Sequence, residues 1–206
     1  MNQNKYLEDI SEIKNIMNRS SRFISLSGLS GILAGGFALI GAYMAYLIVY
    51  KNTGTAMASE VVVLNYEQLS QLMIVGLGVM ALALCGGIAL SVRKANKNGE
   101  KVWDASSRRL IINFLIPLLT GAVFCLMLIK MQLVMLIAPL TLIFYGLACL
   151  NASKYTIGGV RYLGLTIILI GLLATFFIGY GLVFWALGFG VCHIVYGALM
   201  YFKYEE

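Results

Sequence analysis

Charge is scarce in this sequence, and the little there is avoids the long apolar runs. Only 12% of residues are charged against 60% hydrophobic, where a water-soluble domain carries about 25% charged residues. The chain lacks the polar surface to cover itself in water, so most of it calls for lipid as solvent. None of the nine carboxylates and none of the fifteen Lys and Arg falls in the interior of an apolar run. Proton relays and cation-coupled pumps rest on ionisable groups inside the membrane, which disfavours a proton- or sodium-coupled pump. Histidine occurs once and proline twice. The four cysteines, Cys85, Cys125, Cys149 and Cys192, all lie in apolar runs without CxxC spacing. That argues against a disulfide framework or a metal site and fits buried thiols acting as small hydrophobes. No catalytic constellation is legible, and no cofactor is implied.

What is present is hydrocarbon in six runs, at about 23–50, 69–92, 109–129, 133–150, 158–178 and 182–202. A helix needs about 20 apolar residues to cross the hydrocarbon core, so each run is a candidate span. Residues 1–20 read differently. Leu7, Ile10, Ile13 and Met17 share one helical stripe, with Glu8, Asp9, Glu12, Asn15 and Asn18 opposite, the pattern of an amphipathic helix at the membrane surface.

The basic residues orient the spans. Thirteen fall on the side of the two termini, the 93–109 loop and the Lys154–Arg161 turn, and only Lys51 and Lys130 fall on the other. By the positive-inside rule both termini are cytoplasmic. The aromatic belts agree, with Tyr46, Tyr50, Tyr66, Tyr180 and Trp185 assigned to the outer interface and Trp103, Tyr155, Tyr162, Tyr201 and Tyr204 to the inner one. The expectation is an all-α membrane protein. Six transmembrane helices form three antiparallel hairpins over 21–206, with the amphipathic helix at 1–20 before them. A weak echo, Phe144-Tyr145-Gly146 against Val195-Tyr196-Gly197 at a 51-residue offset, makes the hairpins candidate repeats.

Few residues inside the spans carry chemistry. His193 stands near mid-depth of the sixth, where an imidazole can serve as ligand, proton carrier or interhelical hydrogen-bond partner. Asn113 and Thr141 are candidate partners for it, and Tyr145 and Tyr196 could extend a polar cluster that contacts a ligand. Pro117 and Pro139, inside the third and fourth spans, each remove a backbone hydrogen bond and can kink a helix. Ser27, Gly31 and Gly35, four residues apart, form a small-residue face that admits another helix backbone, either within the chain or across a homodimer. The 93–109 loop, RKANKNGEKVWDASSRR, is too short for a folded nucleic-acid module. It suits membrane lipids with anionic headgroups, or a cytoplasmic regulatory protein.

The run EIKNIMNRSSRFISLSGLSGILAGGFALIGAYMAY, residues 12–46, resembles the start of a family of small multi-pass inner-membrane proteins of Bacteroidota. No catalytic motif is established for that family, so the resemblance implies a bacterial inner-membrane location and a link to regulation, and no site residue. The expected function is a non-enzymatic sensor or accessory protein. The alternatives are a passive or exchange transporter of a small apolar or amphipathic molecule and, more distantly, a haem- or quinone-binding redox protein.

Overall fold

The computed structural model describes residues 27–50, 64–99, 102–156 and 159–204. The amphipathic stretch 1–20 lies outside them. The described chain is built from six helices, α1 (Gly28–Tyr50), α2 (Tyr66–Lys97), α3 (Ala105–Lys130), α4 (Ile137–Ala152), α5 (Gly159–Phe176) and α6. The last is composite, with an α-helical start Gly181–Trp185, a π-helical turn Ala186–Val191 and an α-helical end Cys192–Tyr204. Together with the 3₁₀ turns flanking α4, these make six elements long and apolar enough to cross a membrane.

Polar caps set the helix boundaries and carry α2 and α3 beyond their apolar runs. The Asn65 side chain accepts from Gln68 N at 2.8 Å while Asn65 N donates to Gln68 Oε1 at 3.1 Å. Asp104 and Ser107 repeat that reciprocal cap on α3, at 2.7 and 2.8 Å. Each cap satisfies two backbone donors that a helix start would otherwise leave open. The α3 helix ends with Leu133 N donating to Leu128 O and Gln132 N to Ile129 O. That closure forces Gln132 to φ 62°, the left-handed region.

The helices pack as a row that folds back on itself. The α4–α5 pair is the most extensive, α6 lies along α1 and also touches α4 and α5, α2 packs on α1, and α3 packs on α4. Two of these crossings share one register. Cβ atoms placed on Gly146 and Gly164 would sit 2.7 and 2.8 Å from each other's carbonyl oxygens, and one on Gly171 would sit 3.0 Å from Pro139 O. In the α1–α6 pair, Gly28 and Gly197 stand in the same reciprocal relation at 2.6 Å, and a Cβ on Gly35 would sit 2.6 Å from Gly190 O. On all four helices the contact points are seven residues apart, and Gly146 and Gly197 are separated by 51 residues. Backbone meets backbone at both crossings, which only glycine allows. Gly31 belongs to the second crossing, where an added Cβ would sit 3.0 Å from the Gly197 Cα, and Ser27 is buried at its end. The small-residue face of α1 is therefore occupied by α6 of the same chain.

The prolines differ in what they do. Pro117 lies inside α3, where its ring removes a backbone hydrogen bond. Pro139 is the third residue of α4 and is fully buried. In a first turn the missing N–H would have no intrahelical partner anyway, so Pro139 breaks nothing and instead packs the α4 start against Gly171 and Gly181.

Candidate functional site

The polar centre of the bundle is a pair of side chains on two helices. Tyr145 Oη lies 2.7 Å from His193 Nε2, and His193 Nδ1 lies 3.1 Å from the Gly188 carbonyl oxygen. A carbonyl only accepts, so Nδ1 carries the proton. Nε2 then presents its lone pair, and the Tyr145 hydroxyl donates to it. The tautomer follows from these two partners.

The π-helical turn makes this arrangement available. In an α-helix the Gly188 carbonyl would take the Cys192 N–H. Here the Cys192 N–H turns to Leu187 O instead, one residue further back. That leaves Gly188 O open to the imidazole five residues on. Short π segments of this kind gather at functional positions. The local sequence ALGFGV permits it, because Gly188 packs directly on Leu142 and Gly190 on Leu39.

The pair sits deep. His193 is 6% exposed, ten to twelve residues from either end of the Gly181–Lys203 element, and Tyr145 is as central in Val134–Tyr155. Aromatic rings enclose it. Phe114 of α3 meets Tyr145 edge-on with centroids 5.8 Å apart, and Phe189 lies 4.9 Å from Tyr145 and 6.1 Å, stacked, from His193. Trp185 continues the stack 4.9 Å from Phe189. The aliphatic floor is Leu142, Leu163, Ile167 and Ile170. Trp185, assigned from the sequence to the outer belt, is thus drawn into the core cluster.

Of the other expected site residues, Tyr196 stays with this cluster, and Asn113 and Thr141 go elsewhere. Tyr196 packs on the same core one turn beyond His193, its ring lying over Gly159. Asn113 does not reach His193. Its Nδ2 donates to Arg109 O within α3, and its own backbone oxygen accepts from Asn151 Nδ2 of α4, both at 2.8 Å. Asn113 is next to Phe114, which does meet Tyr145, but neighbours on a helix point about 100° apart, and its side of α3 faces Asn151. Thr141 donates to Ala138 O on its own helix at 2.8 Å, so its hydroxyl is used locally. Sequence reasoning missed three contributors, Phe114, Phe189 and Cys149. The last, one turn beyond Tyr145, interacts with its hydroxyl. The Trp185, Phe189, His193 spacing of four residues was the available signal.

Chemically the site is neutral. No group of three or more His, Cys, Asp or Glu side chains is placed to hold a metal among the described residues. The pair can offer a hydrogen bond or exchange one proton across 2.7 Å. Comparison of the chain with family models, with curated proteins and with solved structures gives no match. The site therefore rests on its own geometry. The class that fold and composition support is a multi-pass membrane protein.

Proposed function

We propose that the chain is a non-enzymatic sensor or accessory protein of a bacterial inner membrane. Its hairpins run antiparallel, and both termini are cytoplasmic. The observation that carries this reading is the nature of the mid-depth centre, an uncharged Tyr145–His193 pair flanked by aromatic rings, with His193 buried and Tyr145 half-buried. A coupled pump needs a group that gains and loses charge in contact with a pathway. An enzyme needs a nucleophile or an acid–base pair open to substrate. Here the imidazole is buried, and each polar atom of the pair is engaged by protein. The basic side, with thirteen of fifteen Lys and Arg, supports the orientation and offers a surface for a cytoplasmic regulatory partner.

One observation favours a second reading, passive or exchange transport of a small apolar or amphipathic molecule. It is the π-helical turn beside His193, a kind of irregularity that gathers at functional positions. Flux of a panel of small amphipathic dyes across proteoliposomes separates the two readings. The sensor reading expects rates equal to those of empty liposomes. Flux above that level, lost in His193→Ala, would replace it with the transport reading.

A further inference from the structure

We infer that Pro117 makes a latched hinge in α3, with Asn151 of α4 as the latch and the Tyr145–His193 centre as what it moves. In an unbroken α-helix the Asn113 carbonyl would take the N–H four residues on. That residue is Pro117, which has none. A carbonyl left open in an apolar helix is costly, and membrane helices carry an internal proline where a neighbour satisfies the freed group. Here the neighbour is Asn151, whose Nδ2 donates to Asn113 O at 2.8 Å. Asn113 sets its own amide to match. Its Nδ2 donates to Arg109 O at 2.8 Å, which leaves Oδ1 turned toward Asn151 Nδ2 at 3.4 Å. The hydrogen bond that α3 lacks is thus replaced from another helix.

The break divides α3 into two arms with separate holds on α4. Beyond Pro117, a Cβ on Gly121 would fall 2.5 Å from the base of the Phe144 side chain, and the Phe124 and Phe144 rings lie 6.1 Å apart. Before Pro117, the arm 105–116 is held by Asn151 and by Phe114, which meets Tyr145 edge-on at 5.8 Å. Among the described residues, α3 packs on α4 and the turns flanking it and on no other helix to a comparable extent. Ile111, Ile112, Leu115 and Ile116 of the first arm are exposed, so no packed helix blocks its swing. The Gly121 seat is steric and has nothing to release. One hydrogen bond between membrane helices is a modest hold, able to open and reclose. The latch and the aromatic contact stand one residue apart on α3. Release of Asn151 lets the first arm pivot at Pro117 and carries Phe114 off Tyr145, whose hydroxyl holds His193.

The inference rests on the sensor reading, to which it supplies the moving element. The test compares the full-length chain with N151L, P117A and P117A/N151L, by melting in mixed micelles and by ¹⁵N NMR of His193 in lipid bilayers. N151L should melt about 4 °C lower, because it leaves the Asn113 carbonyl without a donor. Its His193 Nε2 resonance should move or broaden, while Nδ1, bonded to Gly188 O of its own helix, should hold. P117A/N151L should recover both readouts, because position 117 then brings its own N–H to Asn113 O. A general loss of packing at Asn151 would show no such rescue. Should N151L fail to fold, N151S carries the comparison, with a smaller fall and the same rescue. An N151L chain that melts like the parent, an unmoved Nε2 in a chain that melts lower, or a double variant as unstable as N151L would each overturn the hinge. Dye flux above that of empty liposomes would instead overturn the sensor reading, and the same variants would still decide the hinge.

Discussion

The Tyr145 hydroxyl donates to His193 Nε2 across 2.7 Å and joins α4 to α6 at mid-depth. Most polar side chains in these helices bond backward to their own backbone, as Thr120 does to Ile116 O and Thr175 to Leu172 O. Such bonds consume a hydroxyl without tying helices together. The Tyr–His bond does tie them. In a double-mutant cycle of Tyr145→Phe and His193→Ala, the coupling should be about 0.6 to 1.7 kcal/mol, the range for hydrogen bonds between membrane helices. Additive single effects, measured by unfolding in mixed micelles, would mean the bond contributes nothing.

Neighbouring glycines on α1 should respond in opposite ways. A Cβ on Gly35 would meet Gly190 O at 2.6 Å, while one on Gly36 would meet nothing within 4 Å. Gly35→Ala should destabilise by about 1–3 kcal/mol through overpacking against backbone that cannot yield. Gly36→Ala should be neutral, or stabilising by up to about 1 kcal/mol from helix propensity. Paired melting curves of the two variants check this contrast.

Gln132 holds a left-handed conformation at the end of α3. An L side chain there costs about 1–2 kcal/mol, which glycine avoids. Gln132→Gly should therefore raise stability, and Gln132→Val should lower it further, since a β-branched residue tolerates positive φ least. A melting temperature unchanged in both variants would contradict the Schellman-type closure.

The orientation proposed from charge is open to labelling. Lys101→Cys and Thr55→Cys, both outside the described residues, should react on opposite sides of the membrane in an otherwise cysteine-free chain. In intact spheroplasts an impermeant thiol reagent should modify Thr55→Cys alone. Modification of Lys101→Cys would invert the topology.

Six helices long and apolar enough to cross a membrane were legible because apolar length is read directly from sequence. His193 was legible because a lone imidazole in an apolar run has few structural alternatives, and Tyr145 because it is polar and at similar depth. Which helices touch was not legible. In lipid, outward and inward faces are both apolar, so the periodicity that marks a core face in water is muted. Gly35 and Gly36 look alike in sequence, yet one meets a carbonyl and the other meets open space. The true partner of Asn113 was hidden because Asn151, just past the 133–150 apolar run, belongs to the last turn of α4. The π-helical turn was hidden because ALGFGV carries no residue that α-helix excludes.

The most direct test of this neutral centre with its buried imidazole is ¹⁵N solid-state NMR of His193 in lipid bilayers, assigned without ambiguity because the chain has one histidine. The geometry predicts a neutral ring protonated at Nδ1, with shifts that hold from about pH 5 to about pH 8 because bulk water does not reach it. An imidazolium, an Nε2-protonated tautomer, or shifts that titrate with the buffer would contradict the account and place His193 on a water-connected path.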